Sequence, residues 1–211
     1  MLSKLTWSIL ISGLRNFESF EQQQQHDLLA LQIDIKDCPN FMSFPYGGLR
    51  ATNLTWFNIH NCTSLMSLPE KMHILLRSLK YLEIRDCPEI ESFPEGGLPP
   101  TLIEISITNC EKLVASRMGW GLENLPSLAK LKIGGKSEDV KSFPEAGLLP
   151  NSLTHLTISD FPSMESLDKK CLRHLTSLRY LDIFRCPKFK FLPEEGLPVS
   201  LRYLEIMNVL C

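Results

Sequence analysis

One short pattern recurs along the whole chain and restricts what the chain can fold into. Its clearest copy is LKYLEIRDC, residues 79–87, in which Leu79, Leu82, Ile84 and Cys87 follow one another at spacings of three, two and three. The central spacing of two predicts a short β-strand with two inward side chains, and the outer positions predict further buried residues. One such unit cannot bury its apolar row alone, so it predicts neighbours of the same shape.

Nine copies of this unit appear when the chain is aligned on the position of Cys87. The marker positions are 10, 38, 62, 87, 110, 136, 161, 186 and 209, at intervals of 23 to 28 residues. Repeats of about 20–29 residues predict a solenoid in which each unit adds one parallel strand to a curved sheet. We therefore predict one continuous domain over residues 1–211, of the α/β class.

The segments that return to the next strand alternate between two kinds. After units two, four, six and eight they are rich in glycine and proline, as in PEGGLPP at 94–100, and predict extended turns. After units three, five and seven they contain few helix breakers, as in PEKMHILLRSL at 69–79, and predict one or two helical turns. The convex side of the solenoid should therefore carry short helices alternating with Pro/Gly turns, with the sheet on the concave side.

The cysteines are placed too regularly for a disulfide framework or a metal site. Standing one per parallel strand, they cannot converge tetrahedrally on zinc, and a regular ladder points neighbouring thiols the same way. Lys136 and Phe161 fill the same marker position in other units, so no sulfur chemistry is needed there. We predict buried, reduced thiols, no metal, and the reducing environment of the cytoplasm. The cysteines at the marker are Cys38, Cys62, Cys87, Cys110 and Cys186.

Composition and motifs exclude several classes of function. The apolar content of 44% and charged content of 22% are those of a folded protein, and the formal charge of −2 gives no general attraction to nucleic acid. No apolar run approaches the roughly 20 residues that span a bilayer. The five histidines show no metal spacing, and no nucleophile or phosphate-binding motif is present. We therefore expect that the chain is not an enzyme and binds no cofactor. Its expected partner is a protein.

The outward side chains of the strands form the candidate binding surface. An aromatic column lies six residues before the marker, and aromatic residues supply anchors at protein interfaces. Stacking between neighbouring strands is an equally good explanation of that column. Acidic and basic residues mix on the same face, which suits a protein better than a polyphosphate. The candidate residues are Trp56, Tyr81, Glu83, Arg85, His155, Tyr180, Asp182, Phe184, Tyr203 and Glu205.

A further column, one residue before the marker, is rich in aspartate and asparagine. These residues include Asp37, Asn61, Asp86, Asn109 and Asp160. Short polar side chains often hydrogen-bond the local backbone where a strand ends in a turn. We therefore predict a structural role for this column.

Two stretches carry a resemblance to a known family. Residues 79–88 and 92–99, LKYLEIRDCP and SFPEGGLP, are matched by residues 178–187 and 192–201, LRYLDIFRCP and LPEEGLPVSL. This pattern resembles the leucine-rich-repeat region of plant intracellular immune receptors, the coiled-coil class of nucleotide-binding leucine-rich-repeat disease resistance proteins. The resemblance implies a leucine-rich-repeat solenoid whose concave face recognises a pathogen effector or a host protein, and which restrains the receptor's own nucleotide-binding domain.

The sequence departs from that family in one respect. No G-x-x-x-x-G-K-[ST] loop is present, so an ATP-driven switch cannot be assigned to this chain. The apolar first strand and the absence of a polar capping unit predict a fragment of a longer receptor, or a protein completed by a partner. The alternative interpretation is a stand-alone interaction scaffold or inhibitor of the same architecture without an immune role.

Overall fold

The regular secondary structure consists mostly of short strands joined by turns. A computed structural model describes residues 7–20, 28–190, 192 and 196–207, and for Trp7 and Lys169 the backbone only. The strands in these segments are β1 (Trp7–Ser12), β2 (Ala30–Lys36), β3 (Trp56–His60), β4 (Tyr81–Arg85), β5 (Glu104–Thr108), β6 (Lys130–Gly134), β7 (Ser142–Phe143), β8 (His155–Ser159), β9 (Ser166–Leu167), β10 (Tyr180–Phe184) and β11 (Tyr203–Met207).

One parallel sheet holds the repeats together. Within the described residues it has nine strands in the order β1-β2-β3-β4-β5-β6-β8-β10-β11, so each unit pairs with the next unit along the chain. The strands pair residue for residue, as Ile59, Ile84 and Ile107 do on β3, β4 and β5. The predicted parallel-sheet solenoid is confirmed.

The inward rows of the strands form one continuous core. Ile84 is fully buried and Leu82 almost so, while the residues between and beside them remain partly exposed. This alternation is what the spacing of two in the sequence predicted. The second inward position is isoleucine, without exposed surface, in each main-sheet strand from β2 to β10: Ile35, Ile59, Ile84, Ile107, Ile133, Ile158 and Ile183.

The return segments alternate as predicted. The three segments with few helix breakers carry α1 (Met72–Leu75), α2 (Glu111–Ala115) and α3 (Lys169–Arg173). The Gly/Pro segments instead form turns, and Gly48 shows why glycine is needed in one of them. It has a φ of 96°, and a Cβ there would lie 2.2 Å from the carbonyl oxygen of Glu70 in the next unit.

A second line of pairing runs away from the main sheet. β7 and β9 form a separate parallel pair, and a parallel bridge joins Ser19 to Ser43. Between these places single backbone hydrogen bonds continue from unit to unit, for example from the Glu91 amide to the Met66 carbonyl at 3.4 Å. This second ladder satisfies backbone groups that the return segments would otherwise leave unpaired.

Unit one departs from the alignment made on the sequence. Position 10 was taken as its marker, and this placement is wrong, because Leu10 is 65% exposed and pairs with Asp34. The residues that face the core are Ile9 and Ile11, which pair with the inward Ile33 and Ile35.

Unit six departs from the alignment as well. Lys136 was placed at the buried marker position, and this placement is wrong, because Lys136 is exposed while Ser137 and Val140 are buried. Burying an unpaired ammonium group would be costly, so the chain turns Ser137 inward instead. Gly135, with a φ of 147°, takes a backbone conformation that side chains rarely adopt and so makes this shift possible.

Three remaining sequence predictions concern a marker position near the end of the chain, membrane-spanning segments and metal ligands. The marker position Val209 lies outside the described range. In the part of the chain that is described, no helix is long and apolar enough to cross a membrane. Over the same residues no group of three or more potential ligands could hold a metal ion.

Candidate functional site

The exposed face of the main sheet carries every predicted site residue. We use the term exposed face for the outward side chains of the nine strands. The candidates lie on β3, β4, β8, β10 and β11. They share one face of the sheet because alternate residues of a strand point to opposite faces. Among the aromatic candidates, Trp56 is 44% exposed and Tyr203 is 60% exposed. The others are partly or largely exposed: Tyr81, Glu83, Arg85, His155, Tyr180, Asp182, Phe184 and Glu205.

The aromatic column is divided into two stacks. The first stack pairs Trp56 with Tyr81, whose ring centroids are 3.6 Å apart at an interplanar angle of 11°. The second stack joins three rings on neighbouring strands. His155 lies 4.2 Å from Tyr180, and Tyr180 lies 4.8 Å from Tyr203, all nearly parallel. The cross-strand stacking considered from the sequence therefore occurs, and it adds His155 to the aromatic residues.

An ion pair occupies the space between the two stacks. On β5 and β6 the aromatic position is taken by Glu104 and Lys130, with Lys130 Nζ 3.6 Å from Glu104 Oε2. Both side chains are about half exposed, so this pair contributes little stability. Its main effect is to separate two apolar platforms that the sequence presented as one column.

Charged groups surround the first stack. Glu83 Oε2 is 3.5 Å from His60 Nε2 on the preceding strand, and Arg85 Nε donates to Asp86 Oδ2 at 3.0 Å. The sequence placed Arg85 beside Glu83 on a mixed-charge face, and the structure gives each of them a different partner. The side chains of Glu83 and Arg85 remain 42% and 58% exposed, so both signs of charge are available to a bound protein.

The second stack has a partly buried member in His155. Burial lowers the pKa of His155, and the nearby Lys130 ammonium lowers it further. The imidazole is therefore neutral near pH 7, which suits its stacking on Tyr180. Thr157 Oγ1 donates to Asp182 Oδ2 at 3.3 Å on the same face. Phe184 is half-buried, while Glu205 on β11 is exposed.

The Asp/Asn column has the structural role predicted for it, with different partners. Its residues have a positive φ where each strand ends, for example 53° at Asp37 and 52° at Asn61. Instead of local backbone partners, the side chains bond across units. Asn61 Nδ2 donates to Asp37 Oδ1 at 2.8 Å, and Arg185 Nε donates to Asp160 Oδ1 at 2.5 Å. The bond from Arg185 lowers the pKa of Asp160.

The cysteines of the marker column are packing groups. All five are free and buried. Their thiols donate to nearby carbonyl oxygens, as Cys87 Sγ does to Arg85 O at 3.2 Å. Contact with the Cys110 thiol, together with burial, raises the pKa of Cys87 to about 12. Since the thiolate is the reactive form, Cys87 is a poor nucleophile at neutral pH.

Alkylation of the native protein should therefore leave the column untouched. We expect Cys38, Cys62, Cys87, Cys110 and Cys186 to react with iodoacetamide at pH 7.5 only after unfolding, measured by peptide mapping with mass spectrometry. Cys171 is only half-buried, and burial followed by its contact with Asp168 raises its pKa to about 11. It should react slowly in the native state and faster as the pH rises toward 11. Rapid labelling of Cys87 in the folded protein would contradict the packing role.

Two features of this surface were missed in the sequence. Asp34 Oδ1 accepts from Asn58 Nδ2 at 2.5 Å, and Asp34 Oδ2 accepts from Gln32 Nε2 at 2.7 Å, which makes a polar cluster near the first stack. Arg179 and Arg202 immediately precede β10 and β11, one position outside the columns considered. The register could have revealed both, because these residues occupy matching positions in neighbouring units.

Comparison with known proteins agrees with the fold. No family model matches the chain. The Arabidopsis thaliana protein named "Putative disease resistance protein" is 40% identical to it in an alignment of 192 residues that covers 88% of this chain and 13% of that protein. The chain thus spans about an eighth of the length of this relative. The solenoid fold and this similarity together confirm the resemblance found in the sequence, and the chain is a leucine-rich-repeat region related to plant disease resistance proteins.

Proposed function

We propose that this chain is a protein-recognition module in plant innate immunity. Its exposed face, concave in the predicted solenoid, binds a pathogen effector or a host protein. The observation that carries this proposal is the presence of two outward aromatic stacks on a rigid sheet. The similarity to a disease resistance protein supports the immune role.

The two stacks have the properties of interface anchors. Aromatic rings bury much apolar surface on binding, and most of the energy of an interface comes from a few such residues. Stacking already holds the rings of Trp56 and Tyr81 in place, so little side-chain entropy is lost when a partner arrives. The surrounding mixture of acidic and basic groups provides the polar rim that a protein partner needs.

The resemblance extends the proposal to location and regulation. Buried free thiols fit a reducing compartment, so we place the module in the cytoplasm. In a longer receptor the same region would also restrain a nucleotide-binding domain. A stand-alone scaffold without an immune role is the second candidate, and identification of the partner distinguishes the two.

Replacing the four main aromatic residues by alanine should abolish partner binding. The expected result for Trp56→Ala, Tyr81→Ala, Tyr180→Ala and Tyr203→Ala together is loss of a protein that the unaltered module retains from plant extract. These rings lie on the surface, and each stack contributes only about 0.5–1.5 kcal/mol to stability, so the fold should persist. Affinity capture with identification by mass spectrometry measures binding, and circular dichroism measures the fold.

A matched control and two partial variants sharpen the result. Tyr46 is 90% exposed on a Gly/Pro return segment away from the face, so Tyr46→Ala should keep full binding. Pairwise replacement of Trp56 with Tyr81, and of Tyr180 with Tyr203, shows which stack binds. Undiminished binding by the folded quadruple variant would place the binding site elsewhere.

A further inference from the structure

A polar groove crosses the start of the last strands, beside the second aromatic stack. It has a volume of about 690 Å³, larger than the grooves of about 420 Å³ and 340 Å³ on the return segments. Its walls come from three successive units, at the positions where β8, β10 and β11 begin. The lining residues are Ser152, Thr154, Thr176, Ser177, Arg179, Tyr180, Ser200, Arg202 and Tyr203.

The charge of this groove is purely positive. Arg179 and Arg202 are its charged lining residues, and no carboxylate lines it. Both side chains are exposed, and neither has an ion-pair partner among the residues that the structure describes. They contrast with Arg185, which is paired with Asp160. Two neighbouring cations without counter-charges favour the binding of an anionic ligand.

The register brings the two arginines side by side. Tyr180 and Tyr203 are direct partners in the sheet, so Arg179 and Arg202, which precede them, start one strand spacing apart, roughly 4.8 Å. The amides of Arg202 and Tyr203 both bond to the Arg179 carbonyl oxygen, at 2.9 Å and 3.0 Å. The backbone that carries the two arginine side chains is therefore fixed, and both side chains start from neighbouring strands on the same edge of the groove.

The remaining polar groups shape the groove. Ser152 Oγ donates to the Leu128 carbonyl oxygen at 2.7 Å, and Ser200 Oγ donates to the Leu178 carbonyl oxygen at 2.8 Å. Because these hydroxyl groups donate inward, their hydrogens are not available to a ligand. The guanidinium groups are thus the strongest donors toward the groove, and they suit carboxylates because they can bind them in a bidentate manner.

We propose that this groove binds an acidic segment of a partner protein. Two carboxylate side chains of the segment pair with Arg179 and Arg202, while its backbone lies along the stacked rings of Tyr180 and Tyr203. Three strand starts span two spacings, roughly 10 Å, which is the length of about three residues of an extended chain. That length fits a peptide better than a single small anion. The proposal rests on the proposed function, since it supplies the chemistry of one part of the recognised partner.

The other grooves explain why an acidic segment would choose this one. The groove of about 420 Å³ has Glu123 and Glu145 beside Lys170, and that of about 340 Å³ has Glu70 and Glu95 beside Lys71, so carboxylates in both walls oppose an acidic ligand. A groove of about 440 Å³ has Arg15 as its one charged lining residue, so it offers no second guanidinium for a second carboxylate. The Arg179–Arg202 groove is thus distinguished by charge as well as by size.

A labelled peptide tests this inference directly. Fluorescein-labelled penta-glutamate should bind the protein, measured by fluorescence anisotropy at low salt, while penta-glutamine should bind at least tenfold more weakly. Arg179→Gln with Arg202→Gln should reduce penta-glutamate binding by about tenfold or more, because two charge-assisted pairs are lost. Arg179→Lys with Arg202→Lys should retain part of the binding, since the charge remains and the bidentate geometry does not.

Lys80→Gln is the matched control. Lys80 is exposed and precedes Tyr81 exactly as Arg179 precedes Tyr180, but Thr55 and Ile103 occupy this position in the neighbouring units. Lys80→Gln removes one positive charge and should change penta-glutamate binding less than twofold.

Two results would overturn the inference: equal binding of penta-glutamate and penta-glutamine, or unchanged penta-glutamate binding by the folded Arg179→Gln, Arg202→Gln variant. Binding of inorganic phosphate at these arginines without binding of penta-glutamate would overturn it as well. Such a failure would leave capture of a partner through the aromatic stacks intact, so the two proposals fail separately.

Discussion

Ile84→Asp should unfold at least the middle of the solenoid. Ile84 is fully buried on β4, between Ile59 and Ile107 on the adjacent strands. The change removes roughly 1.5–3 kcal/mol of apolar burial and places a carboxyl group where no polar partner lies. A domain is stable by only about 5–15 kcal/mol, so a loss of several kcal/mol removes most of that margin.

Thermal unfolding by circular dichroism, with hydrogen exchange resolved along the chain, measures this effect. Repeats contact mainly their neighbours, so exchange should rise first in β3, β4 and β5 before it rises at the ends. Leu82→Asp, at the other inward position of β4, should behave in the same way. Glu83→Asn is the control, because it lies between the two on the exposed face. An Ile84→Asp protein with an unchanged melting temperature would show that the strand register is wrong.

The architecture could be predicted because its causes are local and periodic. The spacing of two between Leu82 and Ile84 sets the direction of the strand side chains, whichever unit contains them. The three helices could be predicted for a similar reason. Residues 69–79 contain proline only at the start, whereas residues 94–100 contain two glycines and three prolines, so the first can turn as a helix and the second cannot.

The arrangement of side chains between units could not be predicted in the same way. The sequence placed four aromatic residues in one column with Glu104 and Lys130 between them. That these two residues pair with each other, and that the rings stack on either side of the pair, depends on the packed side chains. His155 joins the second stack because it is the direct partner of Tyr180 in the sheet. Burial and Lys130 lower its pKa, which depends on the packed environment. Lys136 was misplaced because the spacing of three from the inward isoleucine, here Ile133, to the marker was assumed to hold, and the backbone departs from it at Gly135.

The division of the exposed face has a functional consequence. The first stack lies among groups of both signs, including Glu83 and Arg85, whereas the second adjoins the positive groove of Arg179 and Arg202. A partner that contacts both stacks would therefore meet two chemically different regions about three to four strand spacings apart, roughly 15–20 Å. Such a pattern favours a folded partner with a matching distribution of charge over a simple apolar peptide.

Arg117→Ala should lower the free energy of unfolding by about 3 kcal/mol. Arg117 is 8% exposed and joins the return segment of unit five to that of unit six. Its Nε donates to Glu145 Oε1 at 2.7 Å, its Nη2 donates to the same oxygen, and its Nη1 donates to the Val114 carbonyl oxygen at 3.1 Å. Removing the guanidinium leaves Glu145 partly buried without its counter-charge, and breaking a buried pair in this way costs about 3–5 kcal/mol.

Denaturant unfolding measures the change in the free energy of unfolding. The control is Lys112→Ala, in the exposed pair with Glu89, which should leave the unfolding transition in place. The double variant Arg117→Met with Glu145→Leu should recover most of the loss, because neither charge then remains to be buried. A double variant no more stable than Arg117→Ala would mean that the packing of the arginine stem, and not its charge, joins the two units.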